Sequence, residues 1–236
     1  MSGTLTSPQR KHLAAIRKLI SSQEWSDVSQ GIALLESLDD PQLWQLMADG
    51  VLLVADSGDK QRILLGQGEV KKRVKQRFQQ QVALFAARHT GLLEDITALY
   101  LGGHKNFIGD IRPLAGLENL RELALSAADL KDLSPLSGLK QLATLSLQES
   151  KFLTGLDSLA GLSNLKELRI SQCSALTEIS GLAGLVSLRT LTLCRCARLS
   201  DVSTLSHLSG LEYLDMSHSK ALVDTQPLAA LKNLKN

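Results

Sequence analysis

The fold is decided by residues 120–210, which read LRELALSAADLKDLSPLSGLKQ (120–141), LATLSLQESKFLTGLDSLAGLSN (142–164), LKELRISQCSALTEISGLAGLVS (165–187) and LRTLTLCRCARLSDVSTLSHLSG (188–210). The same leucine pattern continues on both sides, from Ile96 to Leu234, with unit lengths of 24, 22, 23, 23, 23 and 23 residues. Self-similarity at such a short period is typical of a solenoid, in which each unit is stable only when stacked on its neighbours. The sequence therefore predicts six full repeats and the start of a seventh.

Within each unit, the fourth and sixth positions are aliphatic and one residue apart, as in Leu168 and Ile170. Alternate residues of a strand point to opposite faces, so these two positions predict a short strand with an inward apolar face. Further leucines return at a spacing of three residues, which suits a 3-10 turn. The expected fold class is thus α/β: stacked parallel strands with 3-10 or irregular segments on the opposite side.

The pattern L-x-x-L-x-L-x-x-x-x-x-L-x-x-L-x-x-L-x-x-L resembles the short leucine-rich repeats of phosphatase-regulator and bacterial internalin proteins. This resemblance implies a curved solenoid whose concave sheet face binds other proteins. It also implies a ladder of asparagines at the ninth position of each unit. Here that ladder is weakened or replaced by other residues, namely His104, Ala128, Ser150, Cys173, Cys196 and Ser219.

Outward strand positions are the candidate protein-binding residues. Tyrosine and arginine dominate binding hot spots, so Tyr100, Arg169 and Tyr213 are the expected anchors. Acidic side chains would add charge complementarity. The alternative is that these small and polar side chains only keep the sheet soluble. The complete predicted set is Tyr100, Glu122, Gln148, Glu167, Arg169, Thr192, Tyr213 and Asp215.

Residues 1–95 match no family that we could name, and we expect them to form a helical N-terminal domain that caps repeats 96–236. Ser7 followed by Pro8 predicts a helix start with Ser7 as the N-cap, and Asp40 followed by Pro41 predicts another. A helix following Trp25 should be capped by Ser26. Residues 50–55 are ambiguous between strand and helix, and residues 60–65 are predicted to be a short helix.

The strongest helical pattern covers residues 69–89, and the abrupt change to the first repeat suggests that this helix packs on the open end of the solenoid. Its basic face could meet phosphate or an acidic partner. We favour a solvated face, because glutamines rather than aromatic side chains accompany the charges. The cations of this face are Lys71, Lys72, Arg73, Lys75 and Arg77.

Composition narrows the class of protein. The net charge of +2 argues against nucleic acid as the main partner, and no apolar run reaches the length of a membrane span. Three clustered cysteines, Cys173, Cys194 and Cys196, are an odd number for a disulfide framework and favour a reducing, cytoplasmic compartment. With His218 they match the donors of a zinc site. Strand alternation separates Cys194 from the other two, so buried structural thiols are the preferred interpretation.

No catalytic motif is found in the sequence, no cofactor is expected, and the five histidines are dispersed. We therefore interpret the chain as a non-enzymatic interaction module or scaffold for a protein ligand, with no nucleic-acid or membrane partner. The alternative is a regulatory or toxin-like effector, in which the repeats select a target and the helical N-terminal domain carries the activity.

The last repeat edge carries no polar cap after Leu234. Terminal repeats need such a cap for solubility. The sequence therefore predicts either a truncated chain or an edge covered by another chain through self-association.

Overall fold

In the computed structural model, the described residues are 5–48, 51–56, 60–65, 79–101, 108–126 and 130–235. They begin with three helices, α1 (Ser7–Ile20), α2 (Trp25–Leu38) and α3 (Pro41–Ala48). A hairpin of β1 (Val51–Asp56) and β2 (Lys60–Leu65) follows, and then α4 (Gln79–His89). The repeat strands are β3 (Ala98–Leu101), β4 (Glu122–Ser126), β5 (Thr144–Gln148), β6 (Glu167–Ser171), β7 (Thr190–Cys194) and β8 (Tyr213–Asp215).

The described strands form one sheet in the order β1 to β8. The hairpin is antiparallel, and every later pair, from β2–β3 to β7–β8, is parallel. Each repeat strand is followed by a 3-10 helix, as predicted from the three-residue spacing. These helices are Arg112–Leu114, Ser134–Leu136, Asp157–Leu159, Ser180–Leu182, Ser203–His207 and Gln226–Ala230. The structure confirms a leucine-rich-repeat solenoid preceded by a helical cap.

The inward positions pack as the alternation requires. Leu145, Leu168 and Leu191 pair in register across β5, β6 and β7, and each is 0% exposed. The leucines of the 3-10 segments, such as Leu159 and Leu182, are equally buried. One continuous apolar core therefore runs along the stack, and it also includes residues of α1 to α4.

The N-terminal hairpin contains one departure from the sequence predictions and resolves one ambiguity. Residues 60–65 form a strand and not the predicted short helix, because Gln61 and Arg62 pair with Leu99 and Tyr100 of the first repeat strand. The ambiguous run 50–55 is resolved as strand β1 over Val51–Asp56. The N-terminal region therefore continues the repeat sheet as well as covering its end.

The N-caps of α1 and α2 lie one and two residues before their predicted positions. The N-cap of α1 is Thr6, whose hydroxyl accepts from the backbone of Gln9 while the Gln9 side chain accepts from the Thr6 N–H, so the cap lies one residue earlier than predicted. Helix α2 starts after Glu24, not after Ser26. The predicted cap at Asp40 is confirmed by its 2.9 Å bond from the Gln42 N–H.

Helix α4 joins the cap to the first repeat. It confirms residues 79–89 of the predicted long helix, whereas the basic face at residues 71–77 lies outside the described residues. The side chain of Gln81 is fully buried. Its Oε1 accepts from the backbone N–H groups of Gly109 (2.8 Å) and Asp110 (3.0 Å), and its Nε2 donates to the Asp110 carbonyl (2.6 Å). These three bonds fix the cap against the loop that precedes the first 3-10 helix.

A second link between cap and repeats is made by Arg112. Its guanidinium bonds Asp110 at 2.8 Å, lies 3.4 Å from Glu36 of α2, and stands 5.3 Å from the ring centre of Phe85 in α4. The bond to Asp110 raises the pKa of Arg112, although burial opposes this shift. Because the side chain is 58% exposed, solvent weakens these ion pairs, and Gln81 is the stronger anchor.

Candidate functional site

The outward positions of β3 to β8 form a polar surface, which we call the sheet face. Strand alternation places all eight predicted binding residues on it. They are exposed or half-buried, whereas the inward residues between them are buried, apart from Leu214 of the terminal strand β8. The eight residues differ, however, in the contacts that their side chains make within the protein.

At the N-terminal end of the sheet face, Tyr100 donates its hydroxyl hydrogen bond to Glu122 at 2.8 Å. In the register of the sheet, Glu122 is paired with Ala98, so the bond crosses diagonally between neighbouring strands. Tyr100 is thereby held in place, and the Glu122 carboxylate is already bonded within the protein. Gln148, on β5, is exposed and stands apart from both groups.

In the middle of the face, Arg169 and Glu167 lie two residues apart on β6 and form an ion pair through Nε of the arginine. The side chains are 58% and 29% exposed, respectively. Exposed pairs contribute little to stability, about 0–1 kcal/mol. The pair therefore orients the Arg169 guanidinium more than it stabilises the fold.

At the C-terminal end, the structure brings four predicted residues into one shallow depression of about 360 Å³. It is open to solvent, and Tyr213 is 47% exposed. The carboxylate of Asp215 accepts the N–H of Ser217 at 2.8 Å, and bonding to Ser217 holds its pKa below the usual range. The lining residues are Arg169, Thr190, Thr192, Tyr213 and Asp215.

Two sets of exposed side chains outside the strands were missed by the sequence analysis. Phe152, in the loop after β5, is 51% exposed, and the Lys131 ammonium lies 5.3 Å from its ring centre. A group of basic side chains also follows β7 and β8. Two of them, Arg195 and His218, occupy the eighth position of their repeats, directly after the last outward position, and this spacing is the signal that could have found them.

The cysteines occupy two environments. Cys173 and Cys196, at the ninth positions, are fully buried, and burial raises their pKa values to about 11 and about 12. In place of asparagine, Ser219 accepts the N–H of Cys196 at 3.1 Å and donates to the Leu193 carbonyl at 2.8 Å. Cys194 points to the sheet face and is partly accessible. All three are free thiols. Within the described ranges, we find no group of three or more side chains arranged to hold a metal ion.

This difference predicts the pattern of thiol labelling. In the folded protein at pH 7 we expect a maleimide to modify Cys194 alone, because Cys173 and Cys196 are both buried and fully protonated. Mass spectrometry of the intact protein should show one adduct, and three adducts after denaturation. Rapid labelling of Cys173 in the folded state would contradict the buried arrangement.

Comparison with known proteins finds similar solved structures. No family model and no curated protein matches the chain. Among solved structures, it is similar to the internalin InlF of Listeria monocytogenes (17% identity, TM-score 0.49, covering 93% of this chain and 69% of that one). Internalin C2 of the same organism has 22% identity and a TM-score of 0.41, over 96% and 91% of the two chains. The in-register parallel strands β3 to β8, each followed by a 3-10 helix, are those of a leucine-rich-repeat solenoid.

A third similar structure is a functional domain of InlJ from Listeria monocytogenes, which is described as including a cysteine ladder. It has 20% identity and a TM-score of 0.47, over 63% of this chain and 30% of that one. At these identities the likeness says nothing of ligands.

Among the described helices, none has both the length and the apolar character needed to cross a bilayer.

Proposed function

We propose that this protein is an interaction module or scaffold that binds a protein ligand on the sheet face of its repeats. The observation that carries this proposal is the depression at Arg169, Thr192, Tyr213 and Asp215, with the flanking Thr190. It combines an exposed tyrosine with an arginine already oriented by Glu167, and these are the residue types that dominate protein–protein hot spots.

The shape of the depression favours a protein over a small molecule. Small-molecule pockets enclose most of their ligand and are lined mainly by apolar side chains. This depression is open, and each of its lining residues carries a hydroxyl, carboxylate or guanidinium group, together with the Tyr213 ring. A rigid parallel sheet also costs little ordering entropy when a partner binds, which favours affinity. The proposal is therefore one of binding and not of catalysis.

The toxin-like alternative places an activity in the helical N-terminal domain. The buried residues of α1 to α4 belong to the same core as the repeats, and β2 pairs with β3. Such a shared core supports a cap more than a separate active domain. A reducing, cytoplasmic compartment stays part of the proposal, supported by three free thiols of which two are buried. Self-association through the edge of β8 likewise stays a prediction.

The expected result of a mutational test is loss of ligand capture without loss of stability. In the double variant Arg169→Ala with Tyr213→Ala, proteins enriched from a lysate by the wild type should fall by about tenfold or more, because truncating even one hot-spot residue costs about 2 kcal/mol, or about thirtyfold in affinity. Quantitative mass spectrometry of the captured proteins measures this effect.

The matched control is Val186→Ala with Lys232→Ala, which removes one exposed apolar group from the segment before β7 and one exposed cation from the segment after the last 3-10 helix. It should retain capture. If the wild type, the test variant and the control capture equal amounts of ligand, the depression is not the binding site. If the test variant has a lowered melting temperature, its loss of capture is due to unfolding.

A further inference from the structure

Four residues at the ends of the repeat strands share an unusual backbone conformation. Three of them directly follow β5, β6 and β7, and the fourth lies just beyond β8. Glu149, Gln172, Arg195 and His218 have φ angles of 59°, 59°, 57° and 60°, in the left-handed region. Residues that carry a Cβ rarely adopt this region because it is sterically strained, and glycine adopts it without that strain. The repeat imposes it, since the N–H groups of the first three bond to carbonyls of the next repeat at 2.9–3.0 Å. These residues therefore form a fixed column along one rim of the sheet face.

Charge changes along this column. Its first two members are Glu149 and Gln172, whereas the last two are Arg195 and His218. The loops that follow add Arg198 and Lys220. We call Arg195, Arg198, His218 and Lys220 the basic rim. All four side chains are exposed, and within the part of the chain that the structure describes none forms an ion pair.

The two repeats that carry the basic rim are locked side by side at this point. The Cys196 N–H donates to Ser219 at 3.1 Å, and the Ser217 hydroxyl donates to the Cys194 sulfur at 3.3 Å. Adjacent strands are about 4.8 Å apart, so Arg195 and His218 are direct neighbours. Arg195, with Arg198 and Lys220 in the loops that follow, gives this rim an excess of positive charge that attracts anions. The carboxylate of Asp215 accepts the Ser217 N–H, which holds its pKa below the usual range, and the neighbouring His218 adds to this shift.

We propose that the basic rim binds an acidic segment of the protein ligand. This inference rests on the proposed function, since it assigns the chemistry of the ligand beside the depression. Thr192 lines the depression and lies three residues before Arg195, about 10 Å along the strand direction. A peptide that occupies the depression can therefore extend across the rim within a few residues.

An acidic peptide suits the rim better than other anions. The basic residues lie on two neighbouring repeats, so an extended chain that crosses both repeats can meet more of them than a single phosphate can. Nucleic acid is disfavoured because Tyr213 is the single Tyr, Phe or Trp in the sequence between Arg195 and Lys220, and one ring gives no series on which successive bases could stack. Spaced carboxylates along an extended chain match cations spaced by the strand separation, and such complementarity governs specificity and association rate.

The test uses the full chain and a fluorescein-labelled oligoglutamate peptide, with an oligoglutamine peptide of equal length as the reference. Anisotropy should show binding of oligoglutamate only, weakening as salt is added. The variant Arg195→Glu with Arg198→Glu should bind about tenfold more weakly or worse. The matched control, Arg121→Glu with Lys166→Glu, makes the same charge change at residues just before β4 and β6 and should stay within about threefold.

A second variant separates binding from folding. Arg195→Gly removes one cation and relaxes a left-handed position, so it should keep or raise the melting temperature while weakening oligoglutamate binding. Unchanged binding in Arg195→Gly and in the double reversal would overturn the proposal. So would equal losses in the Arg121 and Lys166 control, or tighter binding to phosphatidylserine vesicles or inorganic phosphate than to oligoglutamate.

The rim and the depression can fail separately. If Arg169→Ala with Tyr213→Ala abolishes ligand capture while Arg195→Glu with Arg198→Glu leaves oligoglutamate binding intact, the rim assignment is wrong and the proposed function stands. If the rim variants reduce both ligand capture and oligoglutamate binding while Arg169→Ala with Tyr213→Ala reduces neither, the rim assignment stands and the depression is not the binding site.

Discussion

Replacing Gly181 by alanine should lower the free energy of unfolding by about 3 kcal/mol, the upper end of the usual cost of overpacking. A Cβ at this buried position would lie 2.2 Å from the Leu156 carbonyl oxygen and 2.7 Å from the Asp157 Cα. Both are backbone atoms of the preceding repeat, so relief requires the two repeats to separate. In a chain of this size, that loss corresponds to a melting temperature lower by about 6–12 °C.

The close approach at Gly181 has a local cause. The N–H groups of Thr177 and Glu178 both donate to the Thr154 carbonyl at 3.0 Å, and Gly155 and Glu178 form an isolated parallel bridge. These bonds draw the two repeats together just before the 3-10 helix that contains Gly181.

Gly138→Ala is the matched control, because an added Cβ there meets nothing within 4 Å. It should leave stability unchanged or raise it slightly, since alanine restricts the unfolded chain more than glycine. Urea denaturation of both variants measures the difference. Similar stabilities for the two alanine variants would show that the repeats are not in contact at Gly181.

Gln81→Met should also destabilise the protein by about 3 kcal/mol. The substitution keeps the length of the side chain but leaves two backbone N–H groups, of Gly109 and Asp110, and the Asp110 carbonyl without their partner. The site is fully buried, so water cannot replace these bonds without local opening. Amide hydrogen exchange at Gly109 and Asp110 should accelerate together with the loss of stability.

The control for this prediction is Gln141→Met, at an exposed glutamine in the segment before β5. Surface substitutions of this kind change stability by about 0.5 kcal/mol or less. If Gln81→Met were as stable as Gln141→Met, the cap would be held by its apolar contacts and by Arg112 and not by the buried amide.

The repeat region was predictable because its signal is redundant. Every strand start is set by the same two aliphatic positions, so Leu168 and Ile170 are placed correctly even without their neighbours. The N-terminal region has no such repetition. Residues 60–65 were predicted to be helical from local preference, whereas pairing with β3, a partner distant in sequence, makes them a strand.

The candidate site was predictable only in part. Alternation alone places Tyr100 and Tyr213 on the sheet face, and the structure agrees. Alternation does not reveal that Tyr100 is bonded to Glu122 or that Arg169 is paired with Glu167. Both contacts depend on rotamers and register, which sequence spacing does not fix.

The sequence by itself determined the stacking direction, the parallel sheet and the buried leucines, because one pattern repeated at a constant period has one way of burying all its apolar positions. Only the tertiary structure decided which positions are irreplaceable. The residues equivalent to Gly181 in neighbouring repeats are Ser158 and Thr204, so the sequence presents it as one variable position among others. The bonds from Thr177 and Glu178 to Thr154 bring a carbonyl oxygen to where its Cβ would lie, and that contact between two repeats leaves room for glycine alone.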